Sequence, residues 1–156
     1  MKTAYNHISI KRLNRRIEME VSGATFGTWH PELLLTGYYW DALAAAPLLA
    51  EKPIKSILLL GLGSGTVIRT INLLLPEANI TALEIDSDII DAAYDHFHLN
   101  EAKKLKVLCT DAYKYLKRSR KKYDAVLDDI FIADAENTWR PDIAPHKSVE
   151  LSMRCL

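Results

Sequence analysis

The 156-residue sequence predicts an α/β fold, a doubly wound and mainly parallel sheet preceded by a small N-terminal β-hairpin unit. Three observations predict it. The apolar run Ile57-Leu58-Leu59-Leu60 leads straight into glycines at alternating positions, Gly61, Gly63 and Gly65; such a run before a glycine turn reads as a strand buried on both faces. From there strand and helix patterns alternate regularly, as βαβ units require. Finally, three successive strands carry an acid at or just past their carboxyl ends: Glu84, Asp111 and Asp129.

In chain order, Ile17, Met19 and Val21 alternate with Glu18 and Glu20, the pattern of a half-buried strand. Ser22-Gly23 supplies a turn, residues 25–29 return as its partner, and residues 5–10 add a third strand. A hairpin alone is marginal, so this unit, 1–32, should dock on the main body or on another subunit. The main body, 33–156, opens with a helical stretch over 33–49, where Tyr39, Leu43 and Ala46 share one face and Pro47 marks the end. The cluster Tyr38-Tyr39-Trp40 reads as core packing or as ligand site. Glu51-Lys52-Pro53 makes a loop into the glycine strand.

A helix over 67–75 stops at Pro76, and residues 79–85 form the second strand. Asp86-Ser87-Asp88 offers caps and first-turn carboxylates for a helix reaching Leu99. A third strand over 105–109, a helix over 112–118, a fourth strand over 123–129 and a short helix over 148–156 complete the pattern. The basic run from Lys117 to Lys122 reads as a solvated helix end.

Equal numbers of acidic and basic residues, 20 each, leave no net charge to attract nucleic acid or a membrane surface. No stretch approaches the roughly 20 apolar residues of a membrane span, and the first residues, with Lys11, Arg12, Arg15 and Arg16, contain no apolar signal-type core. Cys109 and Cys155 make no disulfide framework, which points to a reducing, cytoplasmic location. His96 and His98 are two apart and diverge on a helix, so no metal site is expected.

The glycine turn, with Ser64 inside it and the following helix aiming free N–H groups at the same spot, suits the polar part of a nucleotide-like ligand. Thr66 stands where the third glycine of G-x-G-x-x-G would be, which argues against NAD or FAD. Glu84 lies a little over twenty residues past the glycines, where a carboxylate can take both hydroxyls of a ribose. Asp111 can accept from the exocyclic amine of a purine. Asp129 would face the reacting end, where it can take a proton from an attacking amine. The pattern fits an adenosine-containing ligand.

Residues 39–129 resemble the spermidine synthase family, the polyamine aminopropyltransferases. The resemblance rests on Tyr39-Trp-Asp41 before Ala46-Pro47-Leu48, on Leu58-Leu-Leu-Gly61-Leu-Gly63-Ser-Gly65-Thr-Val67, on Leu83-Glu84-Ile-Asp86, on Thr110-Asp111-Ala-Tyr, and on Tyr123-Asp124-Ala-Val-Leu-Asp-Asp129. It implies a Rossmann-like sheet of the class I S-adenosylmethionine-dependent methyltransferase type. It also implies a site for decarboxylated S-adenosylmethionine or methylthioadenosine, without a metal. Glu84 would hold the ribose, Asp111 the adenine amine and Tyr39 the amine substrate, with Asp129 as general base. Asp128 should point to the opposite face of its strand.

Against the family's pattern, Ser64 stands for an Asp that grips the aminopropyl ammonium, Trp40 for a Gln that helps hold the polyamine, and Ile132 for the second acid of D-x-x-D. Each change removes a group that recognises a cationic amine. Ser64 in particular would not repel the carboxylate of intact S-adenosylmethionine, although Leu59 stands where methyltransferases commonly carry an acid. Family members continue through about three more strands, so the resemblance implies C-terminal truncation. It also implies an apolar fourth strand exposed at the sheet edge that, like the hairpin, invites a second copy. The reading is a spermidine synthase-like transferase that passes an aminopropyl group to an amine of a polyamine, a small-molecule substrate; the alternatives are an S-adenosylmethionine-dependent methyltransferase and a non-catalytic nucleoside-binding remnant.

Overall fold

A computed structural model describes residues 7–133, 138–140 and 145–156. The sheet predicted from the alternating pattern is present as β4 (Ser56–Leu60), β5 (Asn79–Glu84), β6 (Leu105–Cys109) and β7 (Ala125–Asp128). All three pairings are parallel, in the order β6-β5-β4-β7. The helices are α2 (Thr66–Leu74), α3 (Ser87–His96), α4 (Ala112–Arg118) and α5 (Pro145–Met153), with α1 (Tyr39–Ala45) ahead of the sheet.

The period-2 geometry of β4 divides its side chains between two cores. Ile57 and Leu59 pack with Trp40 and Ala44 of α1 and with Val67, Ile68 and Ile71 of α2. Leu58 and Leu60 point the other way, toward Leu83, Leu116 of α4, Leu151 of α5 and Cys155. The central strand is thus fully enclosed, as its apolar run predicts.

The N-terminal unit is an antiparallel sheet, β1 (Ile8–Leu13), β2 (Arg16–Val21) and β3 (Ala24–Trp29). Here β1 runs to Leu13 rather than Ile10, because Asn14, at φ 55°, makes the turn. Tyr5 and Asn6, at the start of the expected third strand, lie outside the described residues. Ile8, Ile17, Met19 and Val21 pack on Ile89, Ala92 and Phe97 in and just after α3. The unit therefore docks on the main body through its apolar face, and this fixes the hairpin beside the strand ends.

Two expectations are corrected between the two units. Residues 33–38 are not helical; α1 begins at Tyr39 and passes into a 3-10 turn at Ala46–Leu49 around Pro47. The Asp41 carboxylate explains the late start, since it accepts from the Thr36 and Gly37 N–H groups and the Thr36 hydroxyl and holds a loop in place of a helical turn. The fully buried residues of α1 are Trp40 and Ala44, with Leu43 partly buried against the same core, whereas Tyr39 is exposed and turned toward the strand ends.

Other differences are of boundary. The α3 helix stops at His96 because His98 adopts φ 56° before a 3-10 turn at Leu99–Glu101. The β7 strand ends at Asp128, leaving Asp129 just beyond it. Past that point β8 (Ile132–Ala133) pairs antiparallel with β9 (Thr138–Trp139). Among the described residues β7 pairs only with β4, and α5 covers one of its faces through Leu151, beside Val126 and Ile130. No helix of the described residues is long and apolar enough to cross a membrane.

Candidate functional site

A cavity of about 590 Å³ opens at the carboxyl ends of the strands. Gly61, Gly63, Glu84, Asp111 and Asp129 all line it, with Tyr39 from α1 and Phe26 from the hairpin. The three acids that end consecutive strands therefore converge on one space, which is what the parallel topology requires of them.

The glycines serve a purpose the sequence reading assigned differently. Gly61 sits at φ 89°, and a Cβ there would lie 2.5 Å from the Asp129 carbonyl oxygen. At Gly63, φ 53°, a Cβ would collide with the Phe26 carbonyl oxygen. The room left by the missing side chains is thus taken by the protein's own backbone, and the loop is clamped between the end of β7 and the hairpin. Gly61→Ala should destabilise the fold by roughly 1–3 kcal/mol, from the disfavoured φ and the carbonyl clash. A thermal melt that leaves the midpoint unchanged would contradict this packing.

Ser64 and Gly65 do not line the cavity. Gly65 caps the start of α2 with φ 81°. Ser64 is buried, its hydroxyl within 2.8 Å of the Thr66 hydroxyl and its N–H donating to Phe26 O at 3.3 Å. Thr66 in turn donates to Thr28 O and accepts from Thr28 N–H, both at 2.9 Å. Hydrogen bonding to the hairpin turns Ser64 away from the ligand space, which corrects the expectation that it faces the donor.

Glu84 is buried at the end of β5. Its Oε2 accepts from Leu62 N–H at 3.1 Å, and its Oε1 accepts from Ile85 and Asp86 N–H at 2.8 and 3.1 Å. Burial raises its proton affinity above the ordinary carboxylate range and the backbone donors oppose that shift. These bonds lock the carboxylate to the glycine loop. Asp111 caps α4, with Oδ1 accepting from Lys114 N–H at 2.9 Å. Both residues are presented by backbone they themselves stabilise.

At the other end of the cavity the Tyr39 hydroxyl donates to Asp129 Oδ1 at 2.9 Å. The Asp129 carboxyl is pushed up to about 6, first by burial and then by the Asp128 charge, against the Tyr39 hydrogen bond and Arg140. Burial and the adjacent Asp129 charge keep the Tyr39 hydroxyl protonated. Asp128 faces elsewhere, pairing with Arg140 and accepting from Ser148 Oγ at 2.8 Å. The neighbouring acids therefore do different work, as the strand alternation implies.

A family model for the spermine/spermidine synthase domain matches residues 37–141, which contain every strand and loop that builds this cavity except the hairpin. The chain belongs to the spermine/spermidine synthase family. A probable polyamine aminopropyl transferase of Bifidobacterium longum is 34% identical over 133 residues, covering 83% of this chain and 29% of that protein. A probable spermidine synthase of Corynebacterium glutamicum superposes with a TM-score of 0.77 at 17% identity, over 99% of this chain and 57% of the other. A spermidine synthase in complex with the transition-state analogue AdoDATO gives 0.79 at 17%, over 100% and 53%. Human methyltransferase-like protein 13 in complex with SAH superposes with a TM-score of 0.61 at 22% identity, over 76% of this chain and 60% of the other, and with the two synthases it bears out the methyltransferase-like fold. The chain spans less than a third of the length of the curated relative.

Within this family frame three contributors were missed by the sequence reading. Phe26 and its neighbours Ala24 and Thr25 wall the cavity from the hairpin, where the sequence marks a returning strand over 25–29 but not what it faces. Phe131 meets the Tyr39 ring edge-on with centroids 6.3 Å apart. Arg140 closes on Asp128, a contact twelve residues apart that no local pattern signals.

Proposed function

We propose that the chain transfers an aminopropyl group from decarboxylated S-adenosylmethionine to a small-molecule amine, leaving methylthioadenosine. The convergence of Glu84, Asp111 and Asp129 on one cavity carries this reading, and the family membership supports it. The residues fit such a donor. Glu84 stands fixed at the glycine loop for the ribose, Asp111 stands at the start of α4 for the adenine amine, and the cavity extends from them to Asp129. The donor, when bound, supplies an electrophilic carbon beside a sulfonium sulfur.

Asp129 removes the proton from the acceptor nitrogen as the new nitrogen–carbon bond forms, while the carbon–sulfur bond breaks and its electron pair stays on sulfur. Tyr39 orients the carboxylate through its hydroxyl and keeps it from swinging toward Asp128. The test is incubation of the full chain with decarboxylated S-adenosylmethionine and an amine, with chromatographic detection of methylthioadenosine. Amine-dependent release is expected. Product from intact S-adenosylmethionine alone would instead support a methyltransferase, and binding without product a nucleoside-binding module.

A base with a pKa of about 6 sets a sign for the pH profile. Below that value Asp129 is protonated and cannot accept, so kcat/KM should rise through pH ~6 and level off above it. Tyr39→Phe removes a hydrogen bond that lowers the Asp129 pKa, so its acid limb should move to higher pH. An acid limb that stays put in the variant would contradict the coupling. A cytoplasmic location suits the free thiols of Cys109 and Cys155. Self-association through the β7 edge belongs to the same reading, and a monomeric elution volume would count against it.

A further inference from the structure

Resting on the donor site of that reading, we propose that Thr66 is a positioning residue for the nucleoside part of the donor. Its hydroxyl fastens the hairpin to the glycine loop and so holds Phe26 against the pocket beside Glu84. The geometry is a closed clasp. The Thr66 hydroxyl has a single proton, which goes to Thr28 O, while Thr28 N–H donates back, both at 2.9 Å. Ser64, with its hydroxyl 2.8 Å away, is therefore the donor to Thr66. All three residues are buried. The two hydroxyls occupy a notch at Gly27, where a Cβ would fall 2.0 Å from Ser64 Oγ and 2.8 Å from Thr66 Oγ1.

Two residues before Thr28 the same strand reaches the ligand space. Phe26 lines the cavity, its carbonyl oxygen accepts from Ser64 N–H at 3.3 Å, and that carbonyl abuts Gly63. Leu62, the neighbour of Gly63, donates its N–H to Glu84. A continuous path of contacts thus runs from Thr66 through Thr28, Phe26 and the glycine loop to Glu84. Thr66 is not among the residues lining the cavity, so it can affect a donor only through what it holds. The hairpin has other attachments as well. Its apolar face packs on α3, and Trp29 stacks on His98 with centroids 4.3 Å apart and carries Arg69 over its ring. Loss of the clasp should therefore leave the chain folded and let the Phe26 wall drift from the glycine loop.

Thr66→Val keeps the shape of the side chain and removes the hydroxyl, whereas Thr66→Ser keeps the hydroxyl. In the full chain, well below the melting midpoint, Thr66→Val should weaken methylthioadenosine binding about tenfold by calorimetry. With decarboxylated S-adenosylmethionine and an amine, the loss should appear in the donor KM far more than in kcat, since the contact is common to ground and transition states. Thr66→Ser should restore most of both. In a Phe26→Ala background Thr66→Val should cost little further affinity, because the wall it positions is gone. Native affinity in Thr66→Val, no rescue by Ser, or a fully additive loss in the double variant overturns the proposal. If Thr66→Val does not fold, Ser64→Ala breaks one hydrogen bond of the clasp and leaves both Thr28 backbone groups paired. It should weaken methylthioadenosine binding by about two- to fivefold, and native affinity there overturns the proposal equally. Binding that follows this pattern without amine-dependent transfer supports the clasp and removes the transfer reading. No binding of methylthioadenosine by the unmodified chain overturns both.

Discussion

Asp129→Asn is expected to reduce turnover by about 10²- to 10⁴-fold, the range over which a positioned proton acceptor contributes to a rate. The substitution keeps the volume of the side chain and leaves an oxygen to accept from the Tyr39 hydroxyl, which lies 2.9 Å from Oδ1 in the native chain. What it removes is the capacity to take a proton. Asp128 cannot stand in, because its carboxylate is occupied by Arg140 and by Ser148 on the other side of the strand. Methylthioadenosine affinity should change little, since that ligand is held at the Glu84 and Asp111 end. Steady-state rates beside a binding isotherm separate the two effects. Full turnover in the variant removes Asp129 from the chemistry.

The second large effect is expected at Glu84. In Glu84→Gln the amide oxygen can still accept from Ile85 and Asp86 N–H, but the NH₂ group then meets the Leu62 N–H, donor against donor in a buried place. Leaving such a group unpaired costs about 1–3 kcal/mol. The glycine loop loses its anchor at the same time as the ribose loses its acceptor. Thermal stability and methylthioadenosine affinity should therefore fall together, the latter by roughly tenfold or more. A variant with native affinity and a lowered melting midpoint would make Glu84 a loop anchor only.

The architecture was largely legible because it follows from burial. An uninterrupted apolar run such as Ile57 to Leu60 can be satisfied only by cover on both faces, and the structure gives 0% exposure at all four positions. The strand-end acids were legible for the same reason, since parallel connectivity sends each carboxyl end to one rim. Less legible were features that depend on one residue's hydrogen bonds. Asp41 holds residues 36–37 as a loop and delays α1, which rotates Trp40 into the core and Tyr39 into the site. Ser64 follows Thr66 toward the hairpin, a choice made by Thr28 thirty-eight residues from Thr66 and invisible in local spacing. The glycines showed where a turn must lie, but not that Asp129 and Phe26 carbonyls would fill the space beside them.

Everything proposed for the site presupposes that an adenosine group lies across the strand ends between Glu84 and Asp111. Calorimetric titration of methylthioadenosine into the full chain measures this most directly. Saturable binding of one molecule per chain, weakened by Glu84→Gln and nearly unchanged by Asp129→Asn, is the result expected. No heat of binding, or binding indifferent to Glu84 and lost with Asp129, would contradict it.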